Sequence, residues 1–216
     1  LLVVGGSALY SGSPIFNALA AYRAGCDLVK IAAPEKAAAA IKSYSPDLIA
    51  YPLKGDYLSK NHVAAVLNMQ KDADAMVIGG GLGRNKQTLA AVRSIITKTK
   101  IPAVVDADAI YAVSKLNKNF VLTPHSYEFY VLSGKKVNNN LNDRITKTKE
   151  LALRMNCTVL LKGHIDIISD GVRTTTNKTG SPFMAKGGFG DTLAGICGAL
   201  LARGLNGYHA ACAAAY

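Results

Sequence analysis

The segment Thr179-Gly180-Ser181-Pro182-Phe183-Met184-Ala185-Lys186-Gly187-Gly188-Phe189-Gly190-Asp191 carries the strongest chemical signal in the chain. Leu193, Ile196, Cys197 and Leu200 follow at helical spacing, so a glycine-rich turn feeds a helix N-terminus. Free backbone N–H groups and the helix dipole make such a turn an anion site. Gly187, Gly188 and Gly190 let a phosphate come close to the backbone. Asp191, a carboxylate at the same helix start, can face a reacting group and act as a base. The spacing equally allows Asp191 to be a plain N-cap. Gly-Lys-Ser/Thr is missing, so this is not a Walker A loop.

Five further groups fall where an apolar strand ends. Gly5-Gly6-Ser7 follows the first strand, and Gly79-Gly80-Gly81-Leu82-Gly83 follows Met76-Val77-Ile78. Thr123-Pro124-His125 follows Phe120-Val121-Leu122, with Glu128 three residues beyond His125 and able to share its cleft. Leu160-Leu161-Lys162-Gly163-His164 puts a phosphate-binding type of residue, Lys162, beside a glycine. Asp106-Ala107-Asp108 offers paired carboxylates, which can hold Mg²⁺ through water or make local turn hydrogen bonds. In an open α/β sheet, ligands bind beyond the carboxyl ends of the strands, which is where these groups converge.

The elements that must position them alternate. Strands are expected at Leu1–Val4, Leu28–Ala32, Leu48–Tyr51, Ala75–Ile78, Ala103–Asp106, Asn119–Leu122 and Thr158–Leu161. Helices are expected from Ser13-Pro14, with Ser13 as N-cap, to Gly25, and at Lys36–Ser43, His62–Met69, Lys86–Lys98 and Arg144–Arg154. Apolar strands separated by helices indicate a mostly parallel central sheet covered on both faces. Ile165–Ser169 and Val172–Thr176 flank Asp170-Gly171, which reads as a late antiparallel hairpin. Lys135–Asp143 is polar and Asn-rich and reads as a surface loop.

The 216 residues form one α/β domain with no visible linker. The net charge of +11 attracts anions. Trp is absent and the lysines are scattered, so small anionic ligands are favoured over nucleic acid. No apolar stretch is long enough to span a bilayer. Cys26, Cys157, Cys197 and Cys212 make no metal-binding pattern and read as buried thiols, which suits the cytoplasm. The chain starts at Leu1 in an apolar strand and stops at Tyr216 in an Ala-rich helical run, so both ends are expected to be cut.

The motifs also form an ordered set. Gly5-Gly6-Ser7 leads to Tyr10-Ser11-Gly12, and Arg23-Ala24-Gly25 closes the next helix. Gly79 to Arg84, Asp106-Ala107-Asp108-Ala109, Leu122-Thr123-Pro124-His125 with Glu128, and Leu161-Lys162-Gly163 follow. Thr179-Gly180 and Gly187 to Gly195 end the series. Over nearly the whole chain this resembles the ADP/ATP-dependent NAD(P)H-hydrate dehydratases of the ribokinase-like superfamily. The resemblance implies repair of hydrated NADH and NADPH: the added hydroxyl is phosphorylated, and phosphate then leaves as the ring double bond re-forms.

By that resemblance Asp191 is the catalytic base, and Ser13, Gly83, His125 and Asp191 line the hydrate site. Lys162, Gly163, His164, Ile165 and Asp166, with Gly187, Gly188 and Gly190, hold the adenine nucleotide. Glu128, Asp106 and Lys186 are further candidates. ADP or ATP is the implied co-substrate, with Mg²⁺, and the implied assembly is a homo-tetramer. Ser13, Gly80, Ser126-Tyr127, Phe183 and Lys186 depart from the usual pattern without removing a catalytic group. Two alternatives remain: a ribokinase-like kinase for a vitamin precursor, and a non-enzymatic nucleotide- or RNA-binding module.

Overall fold

The apolar runs become the strands of one sheet, and alternate side chains along them divide between two cores. The computed structural model describes residues 1–216. The strands are β1 (Leu2–Val4), β2 (Lys30–Pro34), β3 (Ile49–Leu53), β4 (Met76–Ile78), β5 (Ala103–Val105), β6 (Phe120–Leu122), β7 (Thr158–Leu161), β8 (Asp166–Ser169) and β9 (Thr174–Asn177). Their order is β3-β2-β1-β4-β5-β6-β7-β8-β9. Pairing is parallel from β3 through β7 and antiparallel from β7 to β9.

Strands buried on both faces explain the unbroken apolar runs. Leu2, Val4, Met76, Ile78, Val105 and Leu122 point into one core, whereas Val3, Val77, Val104 and Val121 point into the other. Helices α1 (Gly12–Arg23), α2 (Glu35–Tyr44), α7 (Phe189–Ala202) and α8 (Gly207–Ala215) cover the second face. Helices α3 (Val63–Met69), α4 (Lys86–Lys98), α5 (Ser126–Ser133) and α6 (Leu141–Met155) cover the first. Burying each Val, Leu or Ile is worth ~1.5–3 kcal/mol, so this layering anchors the strand ends.

Several boundaries differ from the sequence expectation. The N-cap of α1 is Ser11, not Ser13, and its side chain makes no capping bond. Ser13 lies inside the first turn, where it flanks Gly80 together with Asp191. Strand β2 starts at Lys30 because its register pairs Leu2 with Lys30, leaving Leu28 half exposed. The polar stretch before α6 ends early, since Asn140 caps that helix by accepting the Asp143 N–H at 3.1 Å. Helix α5 had no apolar periodicity to announce it. His125 and Glu128 hold its start in a reciprocal capping box, and Gly134 ends it in the left-handed region.

β1 and β4 are neighbours, yet the chain leaves them towards opposite edges of the sheet. That is a topological switch point, and its crevice is lined by Gly5-Gly6 and the turn after β4. The Gly6 N–H donates to the Gly80 carbonyl at 2.8 Å and closes its floor.

Candidate active site

Three consecutive strands each deliver a polar residue immediately after their last apolar one. Asp106 follows β5, Thr123 follows β6 and Lys162 follows β7. The Thr123 hydroxyl donates to Asp106 Oδ1 at 2.7 Å, and Lys162 Nζ donates to the same oxygen at 2.9 Å. Asp106 is buried and Lys162 only slightly exposed. Burial alone would push the Lys162 ammonium down, but Asp106, Glu128 and Asp191 outweigh it and hold the group above its ordinary value. It therefore stays cationic.

Lys162 lies over the start of α7. A Cβ built on Gly190 would sit 3.3 Å from Lys162 Nζ and 4.0 Å from Asp106 Oδ2. The N-cap of α7 is Gly188, with φ of 94°, so Asp191 is a first-turn residue and not the cap. The free N–H groups of this turn and the Lys162 ammonium face the same place, a suitable setting for phosphate.

The Asp191 side chain packs over Gly80 beside Ser13, and its backbone is tied to α1. A Cβ on Gly80 would lie 2.6 Å from Asp191 Oδ1 and 2.8 Å from the Ser13 Cβ, so only glycine fits beneath the acid. Asn17 Nδ2 donates to the Asp191 backbone carbonyl at 2.7 Å. Burial, reinforced by the nearby Asp106 charge, pushes the Asp191 carboxyl up to about 6, while Ser13 and Lys162 pull it back. That value suits a base working near neutrality.

His125 and Glu128 do come together, in a structural way. His125 Nδ1 accepts the Tyr127 and Glu128 N–H groups at 3.1 and 3.3 Å, which assigns the ring proton to Nε2. Nε2 is 3.4 Å from Glu128 Oε1, and Glu128 Oε2 accepts the His125 N–H at 2.9 Å. The imidazole itself is exposed, whereas Glu128 is buried. Burial raises the Glu128 carboxyl, with Asp106 adding to it and Lys162 and the His125 N–H opposing.

The turn after β7 is tied down by residues on both sides. The Lys162 N–H donates to the Pro124 carbonyl at 2.9 Å. The Gly163 N–H donates to Asp166 Oδ1 at 2.9 Å, and Asn177 Nδ2 to Asp166 Oδ2 at 3.1 Å. Arg144 Nη2 reaches the Lys162 and Ile165 carbonyls at 3.4 and 3.2 Å. Gly163 and His164 stay exposed at the tip.

The carboxylates of Asp106 and Asp108 do not form a pair. Asp108 turns away to accept the Gly83 N–H at 2.9 Å and to meet Arg84 Nε at 3.0 Å. Arg84 in turn stacks on Tyr111 at 4.5 Å. Gly83 opens onto a cleft of 690 Å³ whose lining includes Asp56, Tyr57, Arg84 and Lys86. Lys186 is exposed, with Nζ 5.7 Å from the centre of the Phe189 ring. The thiols of Cys157 and Cys197 are pushed by burial up to about 12, which leaves them inert.

Two residues escaped the sequence reading. Asn17 is a polar side chain on the buried face of α1, beside Ile15, Ala18 and Ala21. Arg144 shares the inward stripe of Thr148, Leu151 and Met155 on α6. A polar group interrupting an apolar stripe was the available signal in both cases.

The NAD(P)H-hydrate dehydratase family model matches residues 1–216. A bifunctional NAD(P)H-hydrate repair enzyme of Pyrobaculum aerophilum is 43% identical over all of this chain, which spans only 44% of that relative's length. An ADP-dependent (S)-NAD(P)H-hydrate dehydratase of Cenarchaeum symbiosum is 36% identical over 100% of this chain and 77% of its own. The crystal structure of the ADP/ATP-dependent NAD(P)H-hydrate dehydratase of Bacillus subtilis, co-crystallised with ATP/Mg²⁺, superposes with a TM-score of 0.83. It is 28% identical and covers 100% of this chain and 76% of that one.

Proposed function

The chain belongs to the NAD(P)H-hydrate dehydratase family, and from that premise we propose that it regenerates NADH and NADPH from their hydrates at the expense of ADP or ATP. The observation that carries the reading is Asp191: a base tuned to about 6 at the first turn of α7, beside the Lys162 ammonium. Residues 1–216 act as one catalytic domain, a lyase of ribokinase-like fold.

The hydrate's hydroxyl is a poor leaving group. Asp191 takes its proton as the oxygen bonds to the terminal phosphorus and the bond to the nucleotide's bridging oxygen breaks. AMP leaves from ADP, or ADP from ATP. The ring C–O bond then breaks with its electron pair going to orthophosphate. The neighbouring ring carbon gives a proton to water, and the double bond re-forms. Lys162 and the N–H groups at Gly190 offset the charge on the moving phosphoryl group.

The nucleotide lies along Lys162, Gly163, His164, Ile165 and Asp166 and over Gly187, Gly188 and Gly190. The hydrate lies against Ser13, Gly83, His125 and Asp191, with its remote half in the cleft beyond Gly83. Because His125 Nδ1 is occupied by backbone donors, a ring hydrogen bond to substrate would come from Nε2–H turning from Glu128 Oε1, 3.4 Å away. No group of three or more His, Cys, Asp or Glu side chains gathers to hold a metal. Mg²⁺ would enter with the co-substrate, carried on nucleotide phosphates and water. The assembly proposed is a homo-tetramer, which light scattering would test, and the compartment proposed is the cytoplasm.

The test is a recovery assay. Hydrated NADH is incubated with ADP, with ATP or with no nucleotide, and NADH absorbance is followed. Recovery that requires a nucleotide supports the reading. Phosphorylation of a vitamin-precursor alcohol with no recovery of NADH would replace it by the kinase alternative.

A further inference from the structure

Asn17 follows Ser13 by one helical turn and is 2% exposed. A buried amide in a helix has to find partners, and for packing alone an apolar residue would serve better. Its partner is not in α1. Nδ2 crosses to the Asp191 carbonyl at 2.7 Å, 174 residues away in sequence. Within a helix that carbonyl is already served by an N–H four residues on, so the amide adds orientation rather than filling an unmet need. The two helices approach this closely because Gly195, one turn after Asp191, has no side chain; a Cβ there would run into the Asn17 backbone. Asn17 Oδ1 lies 3.5 Å from a Cβ built on Gly80, the residue beneath the carboxylate.

We propose that Asn17 is a positioning residue for the base: its amide clamps the first turn of α7 and so holds the Asp191 carboxylate in its buried place against Gly80 and Ser13. What the base does rests on the dehydratase reading above; the clamp itself does not. The groups that face the Asp191 carboxyl are Asp106 and Asp108 after β5, Lys162 after β7 and Ser13 on α1. Releasing the clamp moves the carboxyl away from this crowd and towards water. The change shows in its titration, where a purely structural role would not register.

Two variants are compared with the wild type by ¹³C NMR titration of the Asp191 carboxyl, by thermal melting and by hydrate turnover. The wild-type midpoint is expected at about 6. Asn17→Ala should lower the midpoint and reduce kcat by ~10–100-fold through misplacement of the base, with nucleotide KM little changed. Asn17→Leu keeps the volume and loses the donor without adding charge, so it should lower the midpoint and reduce kcat in the same way. If Asn17→Ala does not fold, Asn17→Leu decides alone. A wild type that turns over no hydrate sinks the dehydratase reading, and the titration still decides the role of Asn17. Midpoints unmoved in the folded variants, with kcat like wild type wherever the wild type is active, would overturn the proposal.

Discussion

Lys162 and Asp106 stand 56 residues apart and meet across the end of β6, Nζ to Oδ1 at 2.9 Å, with Thr123 on the same oxygen. The parallel register sets Asp106 beside Thr123, and Lys162, two residues beyond the position opposite Thr123, reaches the same oxygen through its long side chain. Removing the cation leaves Asp106 and Glu128 facing each other without compensation. Breaking such a buried pair costs ~3–5 kcal/mol. Lys162→Ala should therefore lower the melting temperature and weaken nucleotide affinity more than hydrate affinity, read by titrating each ligand separately. Equal loss for both ligands would reduce Lys162 to a structural role.

Asp191 should cost stability at neutral pH. Its carboxyl rises from 3.8 to about 6 on folding. The folded state therefore holds that proton more tightly than the unfolded one. The group is unperturbing below pH 4 and increasingly destabilising as pH rises to about 6, beyond which the cost is constant. Its size is roughly 2 kcal/mol after allowing for solvent screening. Asp191→Asn should accordingly be the more stable protein at pH 7.5, with the advantage shrinking as pH falls to 4. A melting-temperature difference that ignores pH would contradict the burial of this acid.

Gly80 tests the seat of the base by crowding it. Alanine would place a carbon 2.6 Å from Asp191 Oδ1. The backbone at Gly80 is outside the left-handed region, so alanine adds no strain of its own. Gly80→Ala, which also brings that carbon to 2.8 Å from the Ser13 Cβ, should lose ~100-fold in kcat and lower the melting temperature through an overpacking cost of ~1–3 kcal/mol. Unchanged kcat would mean that Asp191 has room to move without consequence.

The glycine turn, the strand ends and the late hairpin were legible because each rests on local chemistry: φ above zero, apolar runs and an Asp-Gly turn. The part of the site that was not legible depends on pairing across the chain. Nothing near Asp106 tells whether it faces Asp108 or Lys162; the register of β5 to β7 decides. Likewise, His125 as a helix cap and Asn17 as a clamp depend on partners brought by folding. Helix α5 went unseen because it is short and its capping box uses His where Ser or Thr would be the usual sign.

The charge of +11 should act on encounter with the polyanionic substrates. Arg84 and Lys86 at the cleft are the motive. Turnover at subsaturating substrate should fall as salt rises, because screening sets in beyond ~8–10 Å. Gel shifts with mixed RNA and DNA at physiological salt should be weak. Tight stoichiometric nucleic-acid binding, with turnover indifferent to salt, would assign the charge elsewhere.

In the proposed reaction Asp191 takes the hydroxyl proton in a phosphoryl transfer that ends in dehydration. The most direct measurement follows NADH regained and orthophosphate released together, for wild type and Asp191→Asn. The wild type should give equal amounts of both. The variant should lose both in parallel by ~10²–10⁴-fold while still binding nucleotide. Phosphate release uncoupled from NADH, or a variant that turns over like the wild type, would contradict it.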